Sequence, residues 1–266
     1  YHIAEAGANP VVTMGFAMAD PLSAVAPDYP DTKFVAIDVT WLDAPNVRQI
    51  GFAEHEGSYL VGMLAAMASK SGTVGFIGGM DIPLIRHFGC GYAQGVKAVN
   101  PDAKIISNMT GTTPAAWNDP VKGAELTKAQ ISQGADVVYA AAGGTGVGVL
   151  QAAADEDILS IGVDSNQNYL HPGEVLTSML KRVDVATYRV VSLPEDPDHP
   201  QDDEFAPNQP FRTDGCSFAA PAFCGNVSAY NAISGVRRNA VIQYKTKSPA
   251  AFTSASFAVR RRISGT

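Results

Sequence analysis

The stretch from residue 135 to residue 164 constrains the fold of this chain more than any other. It reads ADVVYAAAGGTGVGVLQAAADEDILSIGVD, which is an apolar run, a glycine-rich turn, an apolar helical segment, a second apolar run and then an acid. This order predicts a βαβ unit in which the glycine turn ends one strand and Asp164 ends the next. In an open parallel sheet both positions face the crevice beyond the carboxyl ends of the strands, where ligands bind. We therefore expect the functional site at this edge.

The same alternation of strand-like and helical patterns runs from residue 10 to about residue 188. It is typical of parallel, doubly wound α/β sheets. One sheet can hold all the strands. However, the long helical pattern at 54–69 is followed by a fresh strand and glycine turn at 71–79, which favours two lobes. The predicted fold class is therefore α/β, with two doubly wound parallel-sheet lobes and an interlobe cleft that holds the site.

Net charge and hydropathy limit the partners that the chain can bind. The formal net charge is −7, whereas a folded protein that binds nucleic acid usually has a positively charged face, so we expect no nucleic-acid partner. No apolar run reaches the roughly 18 residues that a membrane-spanning helix needs. Tyr1 opens without the charged, apolar and small-residue pattern of a signal peptide. Two interpretations stay open at this point: a cytosolic protein, or one whose leader is not in this chain.

The glycine turn, with the spacing GGTGVG, departs from GxGxxG and lacks the Lys-Ser/Thr of a phosphate loop. Gly143, Gly144, Thr145 and Gly146 are candidates for a site lined by backbone N–H groups at a helix N-terminus. The alternative is a tight turn without a ligand. Asp164 follows about 20 residues later, where a carboxylate can accept hydrogen bonds from both hydroxyls of a ribose. Its alternative role is a helix N-cap.

Three further side chains are candidates for ligand contact. Lys181 interrupts the strand-like run VLTSMLKRV, where a cation can meet a ligand or Asp164; the alternative is an exposed strand charge. Trp117 precedes a predicted helix cap and can stack on a base, or act as a lid or packing residue. Phe16 follows Gly15 at the end of a strand and points into the predicted cleft, with core packing as its alternative.

Catalytic and metal motifs are absent from the sequence. HExxH, CxxC and GxSxG do not occur, and the five histidines lie in different segments without metal-ligand spacing. His55 lies between Glu54 and Glu56, but EHEGSYLVG is more typical of the charged first turn of a helix than of a catalytic base. We therefore predict no catalytic residue, no metal and no cofactor.

Several long stretches together resemble the basic membrane protein family of bacterial ABC-transporter substrate-binding lipoproteins, the purine-nucleoside-binding type. The stretches are GFAEHEGSYLVGMLAA, KSGTVGFIGGMDIPLIRHFGCGYAQGVKAVNP, AAWNDPVKGAELTKAQISQGADVVYAAAGGTGVGV, IGVDSNQNYLHPG and VLTSMLKRVD. The similarity is continuous from about residue 10 to residue 185. It implies the fold of type I periplasmic binding proteins, in which two lobes enclose a nucleoside.

The resemblance also implies roles for the candidate site residues. Asp164 would accept hydrogen bonds from the ribose hydroxyls, Lys181 would contact the ligand, and the glycine turn, Trp117 and Phe16 would line the pocket. The protein would be an extracytoplasmic, membrane-anchored lipoprotein that captures a purine nucleoside and delivers it to an ABC permease, without acting as an enzyme. The alternatives are a nucleotide- or sugar-dependent enzyme on a doubly wound fold, and the ligand-sensing domain of a transcription regulator.

The domain prediction follows from the same comparison. Residues 1–70 would form part of the N-terminal lobe, without the family's first strand and helix, which carry further ligand contacts. Residues 71–183 would form the second lobe, and residues 184–266 would return to the first. After about residue 186 the composition changes, and the stretch LPEDPDHPQDDEFAPNQPF, rich in proline and acid and without periodicity, predicts a loop or linker. Residues 189–266 do not resemble the glycine-rich segment and long final helix of the family.

Overall fold

The computed structural model describes residues 1–192 of the chain. Their strands form two separate sheets, and within each sheet all neighbouring strands are parallel. The first sheet has the order β1-β2-β3, with β1 at Val11–Met14, β2 at Phe34–Ile37 and β3 at Val47–Ile50. The second has the order β5-β4-β6-β7-β8, with β4 at Thr73–Gly78, β5 at Lys104–Met109, β6 at Val137–Ala141, β7 at Leu159–Asp164 and β8 at Val175–Leu180.

Helices connect most of these strands. They are α1 (His2–Glu5), α2 (Ala19–Val25), α3 (Glu54–Ala68), α4 (Pro83–Val99), α5 (Pro120–Ile131), α6 (Thr145–Asp155) and α7 (Val183–Ser192). Short 3-10 turns lie at Phe16–Met18, Ala26–Asp28 and Pro114–Trp117. Asp119 caps α5 by accepting a hydrogen bond from the N–H of Lys122, and Pro120 begins the helix, as the sequence predicts.

The central strands are buried along their whole length because helices cover both faces of the sheet. All residues of β4 and β6 are buried. On one face Phe76 and Tyr139 pack against Phe88 and Tyr92 of α4, and on the other Val138 packs with Val149 of α6. Continuous apolar strands of this kind are typical of parallel sheets. The predicted fold class, parallel α/β in two lobes, is confirmed.

Two crossovers connect the sheets within the described residues. Residues 51–53 lead from β3 to α3, which packs with α4 and the second sheet through Val61 and Ala65. Residues 181–182 lead from β8 to α7, whose Ala186 is buried among residues of the first sheet.

The domain boundaries at residues 70 and 183 stay predictions, although α3, which precedes residue 70, packs with the second sheet. The predicted return of the chain beyond residue 192 lies outside the described residues.

No helix among residues 1–192 combines the length and apolar character that crossing a bilayer requires.

Candidate ligand-binding site

Lys181 and Asp164 lie side by side because they end neighbouring parallel strands. Asp164 pairs in register with Leu180, and the backbone N–H of Lys181 donates to the carbonyl of Asp164 at 2.8 Å. The Nζ of Lys181 lies 3.6 Å from Oδ1 of Asp164. The structure therefore brings together these two residues, which the sequence predicted as ligand contacts.

A residue that the sequence analysis missed completes this group. Asp38 directly follows β2 of the first sheet, and both of its carboxylate oxygens accept hydrogen bonds from Lys181 Nζ, at 3.1 and 3.0 Å. The side chain of Lys181 is 8% exposed and that of Asp38 is 12% exposed. The ammonium thus joins the carboxyl edges of the two sheets in a largely dry environment.

A signal for Asp38 is visible in the sequence. KFVAID ends an apolar strand with an acid, as SIGVD does at Asp164. In the structure Asp38 and Asp164 both have positive φ, 64° and 65°. This conformation is uncommon outside glycine but is tolerated by aspartate, and it often marks functional sites. Each lobe therefore presents a carboxylate from an equivalent left-handed position at the end of a parallel strand.

The electrostatics of the group favour a charged lysine. Burial lowers the pKa of Lys181, but the negative charges of Asp164 and Asp38 raise it by more. The pKa of Lys181 therefore lies above its usual value. Burial raises the pKa of Asp164, and Lys181 opposes that rise. The Asp164 side chain is still 48% exposed, which gives a ligand access to its oxygens and lets water screen the shift. The site therefore offers one enclosed cation and one accessible carboxylate.

A buried acid lies close to this group. Glu54 begins α3, its side chain is almost fully buried, and Oε2 lies 3.9 Å from Nδ1 of His87. Burial raises the pKa of Glu54, while the contact with His87 and the charge of Lys181 lower it. The helix start predicted from EHEGSYLVG is confirmed, but its first glutamate faces inward.

Phe16 and Trp117 contact each other across the two lobes. Phe16 follows β1 of the first sheet, and Trp117 ends the 3-10 turn before α5. Their ring centroids are 5.8 Å apart with an interplanar angle of 60°. The indole of Trp117 packs against Gly79, which directly follows β4, and a Cβ atom at residue 79 would collide with the ring. The indole Nε1 is buried and donates to no group among the described residues.

The glycine turn supports the segment that carries Trp117. Gly143, with φ of 56°, and Gly144 are exposed and lie against the carbonyl of Trp117. Thr145 and Gly146 are buried. The Thr145 hydroxyl donates to the carbonyl of Ala116 at 2.8 Å and accepts from the N–H of Asp119 at 2.7 Å. Only the first two of the four predicted turn residues therefore present themselves to a ligand.

Phe16, Asp38, the glycine turn, Asp164 and Lys181 lie at or just beyond the carboxyl ends of parallel strands, which is where open α/β sheets bind ligands. Carboxylates can accept hydrogen bonds from hydroxyls, the ammonium can donate, and the rings can stack on a planar group. Among residues 1–192 no group of three or more His, Cys, Asp and Glu side chains is arranged to hold a metal ion. The arrangement suits a small polar ligand with a flat apolar part.

Comparison with known families identifies the kind of protein to which this site belongs. The sequence model of the Bmp family, described as ABC transporter substrate-binding protein PnrA-like, matches residues 1–193. The chain belongs to this family. The family resemblance predicted from the sequence is thereby confirmed.

Individual Bmp relatives agree with this assignment. The chain is 39% identical over 166 residues to the ABC transporter nucleoside-binding protein BmpA of Lactococcus lactis subsp. cremoris, covering 59% of this chain and 46% of that protein. It is 33% identical over 184 residues to basic membrane protein A2 of Borrelia garinii subsp. bavariensis, covering 67% and 53%. The chain thus spans about half the length of these curated relatives.

The solved structure of an ABC transporter system solute-binding protein from Aeropyrum pernix K1 shares the fold. It has a TM-score of 0.66 and 32% sequence identity, over 71% of this chain and 55% of that one. Parallel α/β lobes of the periplasmic-binding-protein kind are therefore the architecture of this Bmp family member.

Proposed function

We propose that this protein captures a purine nucleoside between its lobes and delivers it to an ABC importer in the membrane. The observation that carries the proposal is the position of Lys181, whose ammonium lies between Asp38 of the first lobe and Asp164 of the second. A ligand that engages this group contacts both lobes at once. Ligand contacts of that kind stabilise a closed arrangement of two lobes.

The chemistry of the site matches the two halves of a nucleoside. Asp164 is accessible enough to accept hydrogen bonds from the two vicinal ribose hydroxyls, and Lys181 can donate to a ligand oxygen or ring nitrogen. Phe16 and Trp117 supply aromatic faces for the base, and the exposed residues Gly143 and Gly144 lie beside Trp117. These roles follow from the contacts that each group can make.

Membership of the Bmp family supports the remaining parts of the proposal. The family description names a substrate-binding protein of an ABC transporter, and the Lactococcus relative is described as nucleoside-binding. By this relation the protein works outside the cytoplasm, as a lipoprotein anchored to the membrane, with a permease as its partner. It binds and releases its ligand without making or breaking a covalent bond.

A thermal-shift screen of the full chain tests the proposal. The ligands are guanosine, adenosine and inosine, with ribose, free purine bases and NAD as comparisons. At a free concentration 100-fold above Kd, a nucleoside should stabilise the protein by about 2.7 kcal/mol. At the same free concentration the bases and ribose should stabilise it less, because each engages only one half of the site and therefore binds more weakly. Stabilisation by NAD or ribose, with none by any nucleoside, would contradict the proposal.

A further inference from the structure

Two aromatic rings contact the ammonium of Lys181 in addition to the carboxylates. Lys181 Nζ lies over the ring of Phe52, 5.5 Å from its centroid, and over the ring of Phe88, 6.0 Å from its centroid. A lysine cation within about 6 Å of a ring centroid is attracted by the negative potential of the ring face. Both distances meet this limit, so one ammonium has two aromatic partners.

The surroundings strengthen this attraction. Phe88 is 3% exposed, and the side chain of Lys181 is nearly as buried. Cation–π contacts gain strength when water is excluded from the cation, because the ring face then replaces lost hydration. The rings therefore contribute more here than an equivalent pair on the protein surface.

The two rings come from different parts of the fold. Phe52 belongs to the crossover from β3 to α3, Phe88 to α4 of the second lobe, and Lys181 to the crossover from β8 to α7. The ammonium is thus held where both described crossovers meet. Its position is set by three elements that are distant in sequence.

Ring faces have an advantage over further carboxylates. An ammonium has three N–H donors, and a ring face attracts the charge without requiring any one of them to point at a single atom. Two donors can serve the oxygens of Asp38. The remaining donor is then free to turn toward Asp164 or toward an acceptor atom of the ligand.

We infer that Phe52 and Phe88 are positioning residues, which hold Lys181 Nζ between Asp38 and Asp164 so that it can donate to the bound ligand. This role rests on the proposed function. Without the rings the ammonium would move toward the oxygens of Asp38, and its contact with the ligand would weaken.

The test replaces Phe52 or Phe88 in the full chain with mono-, di- and trifluorinated phenylalanine by site-specific incorporation. Fluorine withdraws electron density from the ring face, which weakens its attraction for a cation, and changes the shape of the side chain little. The same series at Phe34 is the matched control, because this residue is also buried but belongs to the apolar core of the first sheet. A second reference repeats the series in the Lys181→Met variant.

Two quantities are measured for each protein: the Kd for guanosine, adenosine and inosine, and the free energy of unfolding in urea. At Phe52 and Phe88 we expect the affinity to fall stepwise with fluorine number, reaching about two- to fivefold for the trifluorinated ring. Stability should fall in the same order. Both trends should be absent at Phe34, and the stability trend should disappear in Lys181→Met, which lacks the ammonium.

The outcomes separate the inference from the proposed function. An affinity that does not change with fluorination at either position overturns the positioning role, and so does an equal decline at Phe34. If the native chain binds none of the three nucleosides, the proposed function fails, and the stability series alone decides whether the rings hold Lys181. If Lys181→Met does not fold, the Phe34 series remains the reference.

Discussion

Lys181 reaches from the second lobe to Asp38 of the first and donates to both oxygens of its carboxylate, at 3.1 and 3.0 Å. Asp164, its neighbour on the adjacent strand, lies slightly farther away at 3.6 Å. The two carboxylates therefore have different roles. Asp38 compensates the buried charge, and the more exposed Asp164 keeps oxygens available for a ligand.

Replacing Asp38 should therefore reduce stability. In Asp38→Asn the enclosed ammonium keeps only the more distant Asp164 as a counter-charge, so we expect a loss of about 1–3 kcal/mol in the free energy of unfolding. Urea denaturation measures this. Asp184→Asn is the matched control, since Asp184 forms an exposed ion pair with Arg182 and its loss should cost less than about 1 kcal/mol. Equal effects of the two substitutions would contradict a compensating role for Asp38.

Asp164 should determine recognition of the sugar. In Asp164→Ala we expect purine ribonucleosides to bind more weakly by several kcal/mol, since each buried hydroxyl that loses its partner costs roughly 1–3 kcal/mol. The affinity for the 2′,3′-dideoxy analogues should fall little in this variant, because these ligands lack the hydroxyls that donate hydrogen bonds to Asp164. Isothermal titration calorimetry with both ligand classes checks this. An equal loss for both classes would remove Asp164 from the sugar site, and an unchanged affinity would remove it from the site altogether.

Gly79 should matter because Trp117 packs on it. A Cβ atom at residue 79 would collide with the indole ring, so Gly79→Ala should displace Trp117 and weaken its contact with Phe16. The expected results are a shift of the tryptophan fluorescence and about tenfold weaker nucleoside binding, the equivalent of one lost stacking contact. Gly146→Ala is the control, because its Cβ would lie at an ordinary 3.5 Å from Ala140. A shift of equal size in both variants would argue against a specific role for Gly79.

His55 should make the fold sensitive to acid. Burial, with the neighbouring charge of His87, lowers the pKa of His55 from 6.5 to about 4. A base whose pKa is lowered by folding contributes stability that is fully present above pH 6.5 and is lost as the pH falls toward 4. Unfolding free energies measured across this range should decline toward acid, and less steeply in His55→Gln. His2→Gln, at a fully exposed position, should keep the original slope; a parallel change in both variants would contradict the assignment.

Local patterns were enough to predict much of this fold. The βαβ unit at 135–164 is present, and the strand predicted from the run VLTSMLKRV is observed at Val175–Leu180, because apolar periodicity and glycine turns depend on neighbouring residues alone. Asp164 was found as a site candidate for the same reason. It follows an apolar strand at the edge where parallel sheets bind ligands.

Other features depend on packing between distant segments. The glycine spacing did not predict that Thr145 would be buried. Its side chain faces inward because its hydroxyl donates a hydrogen bond to the carbonyl of Ala116, in the segment before α5. No role for Gly79 was visible in the sequence, and only the structure shows that Trp117 packs against it. Each of these contacts depends on how helices and loops dock onto the sheet, which no local pattern encodes.

The sequence by itself determined the class of fold, the order of its strands and helices, the family, and the carboxylate and lysine at the ends of β7 and β8. Only the tertiary structure decided that Asp38 belongs with them. Asp38 and Lys181 are 143 residues apart and lie on different sheets. They meet because the crossover after β8 carries α7 back onto the first sheet, where Ala186 packs into its core.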